Sequence, residues 1–268
     1  MTQRMIQVLS VASEVFPLVK TGGLADVVGA LPAALKPHGV AMRVLVPGYP
    51  AVMTALAAGK PVHAYPNLFG GKARLVSGSV HGMDILALDA PHLYDRPGNP
   101  YIGADGKDWP DNAIRFAALS TVAADIGRGA MKTWQPHILH LHDWQAALAA
   151  VDVRHRGGPR TIVTVHNIAF QGQFSAAVFP QLGLPAAAFS IEGVEYYGNV
   201  GFLKGGLAMA DAITTVSPTY AREICTPEFG MGLDGLLRAR RHNTHGIVNG
   251  IDTDIWNPAA DGALKSTY

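Results

Sequence analysis

Cysteine is almost missing from these 268 residues: Cys225 stands alone, so no disulfide can form within the chain. That fits a reducing, cytoplasmic setting better than a cross-linked secreted domain. Charge is scarce as well. Asp, Glu, Lys and Arg make up 15% of the residues, against roughly 25% in ordinary soluble domains. The net charge is +1, which gives neither nucleic acid nor an anionic membrane an electrostatic footprint. No window approaches the roughly 18 uninterrupted apolar residues of a membrane-crossing helix. The stretch from Met1 to Leu18 has only a short apolar run, broken by Glu14 and without a cleavage site. It reads as a first strand and not as a secretory signal. Internal repeats and low-complexity tracts are absent too.

Apolar residues are plentiful, at 49%, enough for a large core in a chain near the upper size of one domain. Short apolar runs at Ile6–Ala12, Ala41–Val46, Met83–Leu88, Ile138–Leu141, Thr161–Val165, Ala212–Val216 and His245–Val248 lack polar alternation. Such runs suit parallel strands covered on both faces. Helical patterns lie between them, at Leu24–Leu35, Asn112–Ile126, Trp144–Arg154, Leu203–Ala210, Pro218–Ile224 and Leu233–Arg240. The alternation predicts a Rossmann-like, doubly wound, mainly parallel α/β sheet. Pro61–Asp89 breaks the pattern with two or three extended segments punctuated by glycines, and predicts a β-hairpin insertion. Asn257–Tyr268 has little pattern and reads as a linker or tail.

In open α/β sheets ligands bind beyond the carboxyl ends of the strands. The residues following each apolar run therefore share one rim: Lys20–Asp26, His142-Asp143-Trp144, His166-Asn167, Ser217-Pro218 and Asn249-Gly250-Ile251-Asp252. Lys, His, Asp and Asn converging there predict a polar-ligand site. In the first turn, KTGGLAD, Gly22 and Gly23 would let backbone N–H groups approach a ligand. The following helix adds its free N–H groups and partial positive charge, and Lys20 a full one. Together they suit a phosphate or pyrophosphate. The plainer alternative is an ordinary strand-to-helix connection, with Asp26 favouring the helix dipole. The turn carries neither GxxxxGK[ST] nor GxGxxG, so it is neither a P-loop nor the dinucleotide fingerprint, which disfavours a nicotinamide-dependent oxidoreductase.

His137, His140 and His142 invite a metal reading, since the last two share a strand face. No further Cys or His sits at a supporting spacing, and hydrogen-bonded structural roles for His137 and His140 are preferred. His166 has the chemistry of a catalytic base, but no GxSxG serine accompanies it and no paired carboxylates for glycoside hydrolysis are evident. Trp144 and Tyr101 are sugar platforms or core residues, with core favoured for a tryptophan that opens a helix.

The stretches SEVFPLVKTGGLADVVGALP (Ser13–Pro32), VLVPGYP (Val44–Pro50), DWPDNAIRFAALS (Asp108–Ser120), HLHDWQAAL (His140–Leu148), TVHNIAFQG (Thr164–Gly172), FLKGGL (Phe202–Leu207), TTVSPTYAREI (Thr214–Ile224), FGMGLDGLL (Phe229–Leu237) and GIVNGIDTDIWNP (Gly246–Pro258) occur in one order along the chain. With them the sequence resembles the N-terminal domain of bacterial glycogen synthases, relatives of plant starch synthases in glycosyltransferase family 5. The resemblance implies the N-terminal half of a GT-B fold, in which two Rossmann-like domains face across a cleft. It implies retaining transfer of glucose from ADP-glucose to the non-reducing end of an α-1,4-glucan such as glycogen, without metal or other cofactor.

By the same resemblance, Lys20 lies near the donor's sugar and diphosphate, with Gly22 and Gly23 supplying backbone around the diphosphate. Asp26 contacts sugar or acceptor. The His166 carbonyl faces the anomeric carbon while its side chain binds glucose, and Asn167 and Asn249 contact sugar. Asp143 belongs to the HxHDW stretch. Residues 1–258 are then the N-terminal domain and 259–268 the start of a linker. The family's C-terminal domain, which carries the adenosine pocket, has no counterpart in these residues, so the chain alone is expected to bind donor weakly and turn over little. The alternatives are a related GT-B transferase with another donor and a non-catalytic glucan-binding module of the same fold.

Overall fold

A computed structural model of the chain describes residues 5–250 and 257–266. The first half runs β1 (Ile6–Val11), α1 (Gly23–Leu35), β2 (Val40–Pro47), α2 (Pro50–Ala55), β3 (Lys60–Leu68), β4 (Gly71–Val80), β5 (Met83–Asp89), α3 (Pro91–Tyr94) and α4 (Asn112–Gly127). The second half runs β6 (Ile138–His142), α5 (Asp143–Arg156), β7 (Arg160–Val165), β8 (Gln173–Ser175), β9 (Glu195–Tyr196), β10 (Asn199–Gly201), α6 (Phe202–Met209), β11 (Ala212–Thr215), α7 (Pro218–Glu223), α8 (Asp234–Ala239) and β12 (Thr244–Gly246).

Nine strands form one sheet in the order β12-β11-β7-β6-β1-β2-β5-β4-β3. The seven strands from β12 to β5 are parallel, and β4 and β3 extend the sheet antiparallel from β5. The expected hairpin insertion is this β3–β5 meander, whose last strand rejoins the parallel sheet beside β2. From β1 the chain winds to β2 and β5 on one side, then to β6, β7, β11 and β12 on the other. The winding reverses between β1 and β6, and a crevice opens at such a switch point beyond the carboxyl ends of the two strands.

The parallel strands are apolar because helices cover them. Leu9, Val11, Val44, Leu45, Leu139, Leu141, Val163 and Val165 are all fully or almost fully buried. Helices α4 and α5 are alanine-rich and buried on nearly every face, which brings them close to the sheet and to each other. Helix α6 closes on α5 at Gly206, where an added Cβ would lie 2.6 Å from the Ala147 Cβ.

Two expectations shift. The last strand ends at Gly246, and Ile247 and Val248 are exposed, so the run read as a covered strand is the sheet's outermost edge. Ser217, placed on the ligand rim, caps α7 by accepting the Tyr220 N–H at 2.9 Å. The spacing Gly230-Met231-Gly232-Leu233-Asp234-Gly235 does match GxGxxG, but it leads into α8 from a turn and not from a strand, the context a dinucleotide fingerprint needs. Residues 257–266 contain turns and bends without helix or strand. Ile251 and Asp252 lie outside the described residues. Among the described residues, no helix is long and apolar enough to cross a membrane.

Candidate active site

At the switch point lies a cleft of about 710 Å³. Its wall includes Glu14, Thr21, Gly22 and Gly23 beyond β1, Asp143 and Trp144 beyond β6, His166 and Asn167 beyond β7, and Asn249 beyond β12. Six of the eight sequence-derived site residues, Gly22, Gly23, Asp143, His166, Asn167 and Asn249, thus meet on one surface. Lys20 and Asp26 do not line it. They stand beside Thr21 as an exposed ion pair, with Lys20 Nζ 2.7 and 2.6 Å from the two Asp26 oxygens.

The glycine turn is open. Gly22 precedes α1 with extended backbone, and a Cβ added at Gly22 or Gly23 would meet nothing within 4 Å. No packing among the described residues requires glycine there; the space belongs to the cleft. The loop is tied from beneath by Glu14, a residue that motif reasoning passed over. This carboxylate is buried and accepts hydrogen bonds from the Thr21 N–H, the Thr21 hydroxyl at 2.7 Å and the Tyr101 hydroxyl. The only hint in the sequence was an acid in an otherwise apolar stretch just after a strand. Tyr101 also meets the Ser13 hydroxyl at 2.7 Å, so its ring is fixed at the cleft wall. Trp144 packs edge-on against Phe116, with ring centroids 4.9 Å apart, and is 8% exposed, so the core reading holds for most of its surface.

His166 is held from two directions. Asp143 turns the chain from β6 into α5 with φ +53°, a conformation rarely adopted by residues other than glycine. That turn aims its carboxylate across to β7, where it accepts the His166 backbone N–H at 2.7 Å. On the ring side, His142 Nδ1 lies 3.0 Å from His166 Nε2. Burial pushes the Asp143 carboxyl up to about 7, against the opposing effect of the His166 and Asn167 N–H groups. Burial lowers His166 to about 4, so its imidazole is neutral near pH 7.

The other two histidines of the His137–His142 stretch have structural partners. His140 Nε2 bonds the Thr164 hydroxyl at 2.7 Å, and the Gln7 N–H donates to His137 Nδ1 at 2.9 Å. Among the described residues no group of three or more His, Cys, Asp and Glu is placed to hold a metal ion.

Fold and site together define a Rossmann-like, doubly wound α/β domain with a polar cleft at its switch point. The family model described as starch synthase catalytic domain matches residues 7–239, and the chain belongs to that family. It is similar to the glycogen synthase of Rhodopseudomonas palustris (strain BisB18), 59% identical over 265 residues. It is likewise similar to glycogen synthase 1 of Rhizobium meliloti (strain 1021), 59% identical over 266 residues. These alignments cover 98% of this chain and 54% and 55% of the relatives, so the chain spans about half their length. Among solved structures, the catalytic domain of Starch Synthase IV from Arabidopsis thaliana bound to ADP and acarbose superposes with a TM-score of 0.81 at 30% identity. That match covers 98% of this chain and 55% of the other.

Proposed function

We propose that this chain is the acceptor-side half of a glycogen synthase that transfers glucose from ADP-glucose to the non-reducing end of an α-1,4-glucan, retaining the anomeric configuration. The observation that carries the reading is the open glycine turn facing His166, Asn167 and Asn249 across one cleft. High identity to glycogen synthases supports the donor and acceptor classes, and so does a fold neighbour bound to ADP and acarbose.

In this reading the departing diphosphate gathers negative charge beside the Gly22–Gly23 backbone at the start of α1. Fixed N–H dipoles there stabilise charge without reorganising. Lys20 supplies the cation, and Asp26 holds the ammonium until phosphate oxygens compete for it. The developing positive charge on the sugar ring is met by the His166 carbonyl oxygen. A neutral imidazole suits that neighbourhood, because an imidazolium would repel the transition state. Asp143 fixes the His166 backbone, and Asn167 and Asn249 bind sugar hydroxyls. Holding donor and acceptor together supplies up to about 7–11 kcal/mol of the barrier reduction in favourable cases. No metal takes part.

A second Rossmann-like domain, beyond a boundary near residue 258, would close the cleft and bind adenosine. The lone cysteine accords with work in the cytoplasm. Calorimetric titration of the chain with ADP-glucose and, separately, with a maltooligosaccharide tests this reading. Weak ADP-glucose binding that Lys20→Ala abolishes is expected. Glucan binding with no response to ADP-glucose would favour a glucan-binding module instead.

A further inference from the structure

The His166 ring is the end of a buried hydrogen-bond chain that begins on the central strand. Ser10, on β1, is fully buried, and its hydroxyl lies 3.0 Å from His142 Nε2. The other His142 nitrogen, Nδ1, lies 3.0 Å from His166 Nε2. His142 is fully buried, and burial lowers the pKa of both rings, so each is neutral near pH 7. A neutral imidazole has one N–H donor and one acceptor nitrogen. The chain can therefore point only one of two ways.

In one polarity Ser10 O–H donates to His142 Nε2, and His142 Nδ1–H donates to His166 Nε2. The His166 proton then sits on Nδ1. In the reverse polarity His166 Nε2–H donates to His142, and His142 Nε2–H donates to Ser10. The Ser10 hydroxyl has no other partner among the described residues. Reversal would thus leave its hydrogen unpaired in the core, which buried polar groups avoid. His140 does not compete. Its ring stacks on His142 at 4.2 Å, but its Nε2 bonds Thr164, which in turn meets Thr214 at 2.6 Å.

We propose that Ser10 is a positioning residue that sets the tautomer of His166 through His142, leaving the His166 Nδ1–H as a hydrogen-bond donor to a ligand in the cleft. The use of that donor rests on the proposed sugar-binding role of His166. The tautomer itself does not, and it is read without substrate, so the two ideas fail separately.

Long-range proton–nitrogen correlation spectra of the histidine-labelled 268-residue chain read each ring's tautomer directly, with the two signals assigned by their loss in His142→Gln and His166→Gln. Both rings are expected as Nδ1–H. Free histidine favours Nε2–H, so this pattern would not arise by default. Ser10→Ala is expected to release His166 into the Nε2–H form or a mixture, while Ser10→Thr, which keeps the hydroxyl, retains the wild-type pattern. A merely structural serine would leave the tautomer unmoved. An Nε2–H His166 in the wild type, or an unchanged His166 in Ser10→Ala, overturns the proposal. Should Ser10→Ala not fold, Ser10→Cys, whose thiol is a weak donor, gives the same comparison.

Discussion

A side chain can matter to this cleft without mattering to the fold, and Lys20 separates the two. Its ion pair with Asp26 is about half exposed at both ends, and such pairs contribute about 0.2–1 kcal/mol at most. Lys20→Ala is therefore expected to leave thermal unfolding almost unchanged. In the proposed two-domain enzyme it should lower kcat by about 10²–10³, the usual cost of removing one preorganised electrostatic group. Gly23 makes the same point more sharply. It is the first residue of α1 with open space where a Cβ would go, and alanine in a helix is favoured by roughly 0.5–1 kcal/mol. Gly23→Ala is expected to raise the unfolding midpoint slightly while raising KM for ADP-glucose. A neutral effect on both would mean the turn binds nothing. The place of the glycines and His166 on the cleft was legible because their residue types stand out in turns that follow apolar runs, whereas Lys20, read from the same turn, stands outside the cleft lining. The roles of Glu14 and His142 were not, because Glu14 ties together two loops and His142 joins Ser10 to His166, contacts that no local spacing encodes.

Elements were legible where burial imposes a period. Strands β1, β2, β5, β6, β7 and β11 and helices α1, α4 and α5 fall within two residues of the sequence reading, since a covered parallel strand must be apolar throughout. The stretch from Asn167 to Gly201 was not read. It folds as a three-stranded antiparallel sheet of two- and three-residue strands with short 3₁₀ turns, too brief to show any period. Helix–helix contact was also hidden, because a glycine in a helix reads as a weakness. Gly206 is there because α6 meets the backbone and Cβ of Ala147 on α5. Gly206→Ala is expected to cost about 1–3 kcal/mol through overpacking, seen as a lower denaturant midpoint. Full stability in that variant would show that the two helices can part without cost.

At the scale of the whole molecule, the buried histidines set an acid limit. His140 and His166 are lowered to about 4 and His142 is lowered as well, all chiefly by burial, whereas unfolded histidine titrates near 6.5. Between about pH 6.5 and 4 the unfolded chain takes up protons that the folded one refuses, so their contribution falls as pH falls. Asp143 opposes this. Its folded carboxyl is raised to about 7 above an unfolded value near 3.9, so its contribution falls as pH rises from about 4 to 7. Three groups outweigh one, and net destabilisation is expected on acidification through that window. His140→Gln should flatten the profile and Asp143→Asn should steepen it. The reverse order in a pH series of unfolding curves would contradict the burial assignment.

The chain spans about half the length of the relatives it matches, and its cleft supplies one wall of the proposed reaction. The most direct measurement is incorporation of glucose from ADP-glucose into glycogen, first by this chain alone and then by the chain mixed with the second domain of a close relative. Incorporation only in the mixture, and lost with Lys20→Ala, is the expected result. Robust glucan elongation by the chain alone, or elongation in the mixture that survives Lys20→Ala, would contradict a site completed across the cleft by Lys20 and its open glycine turn.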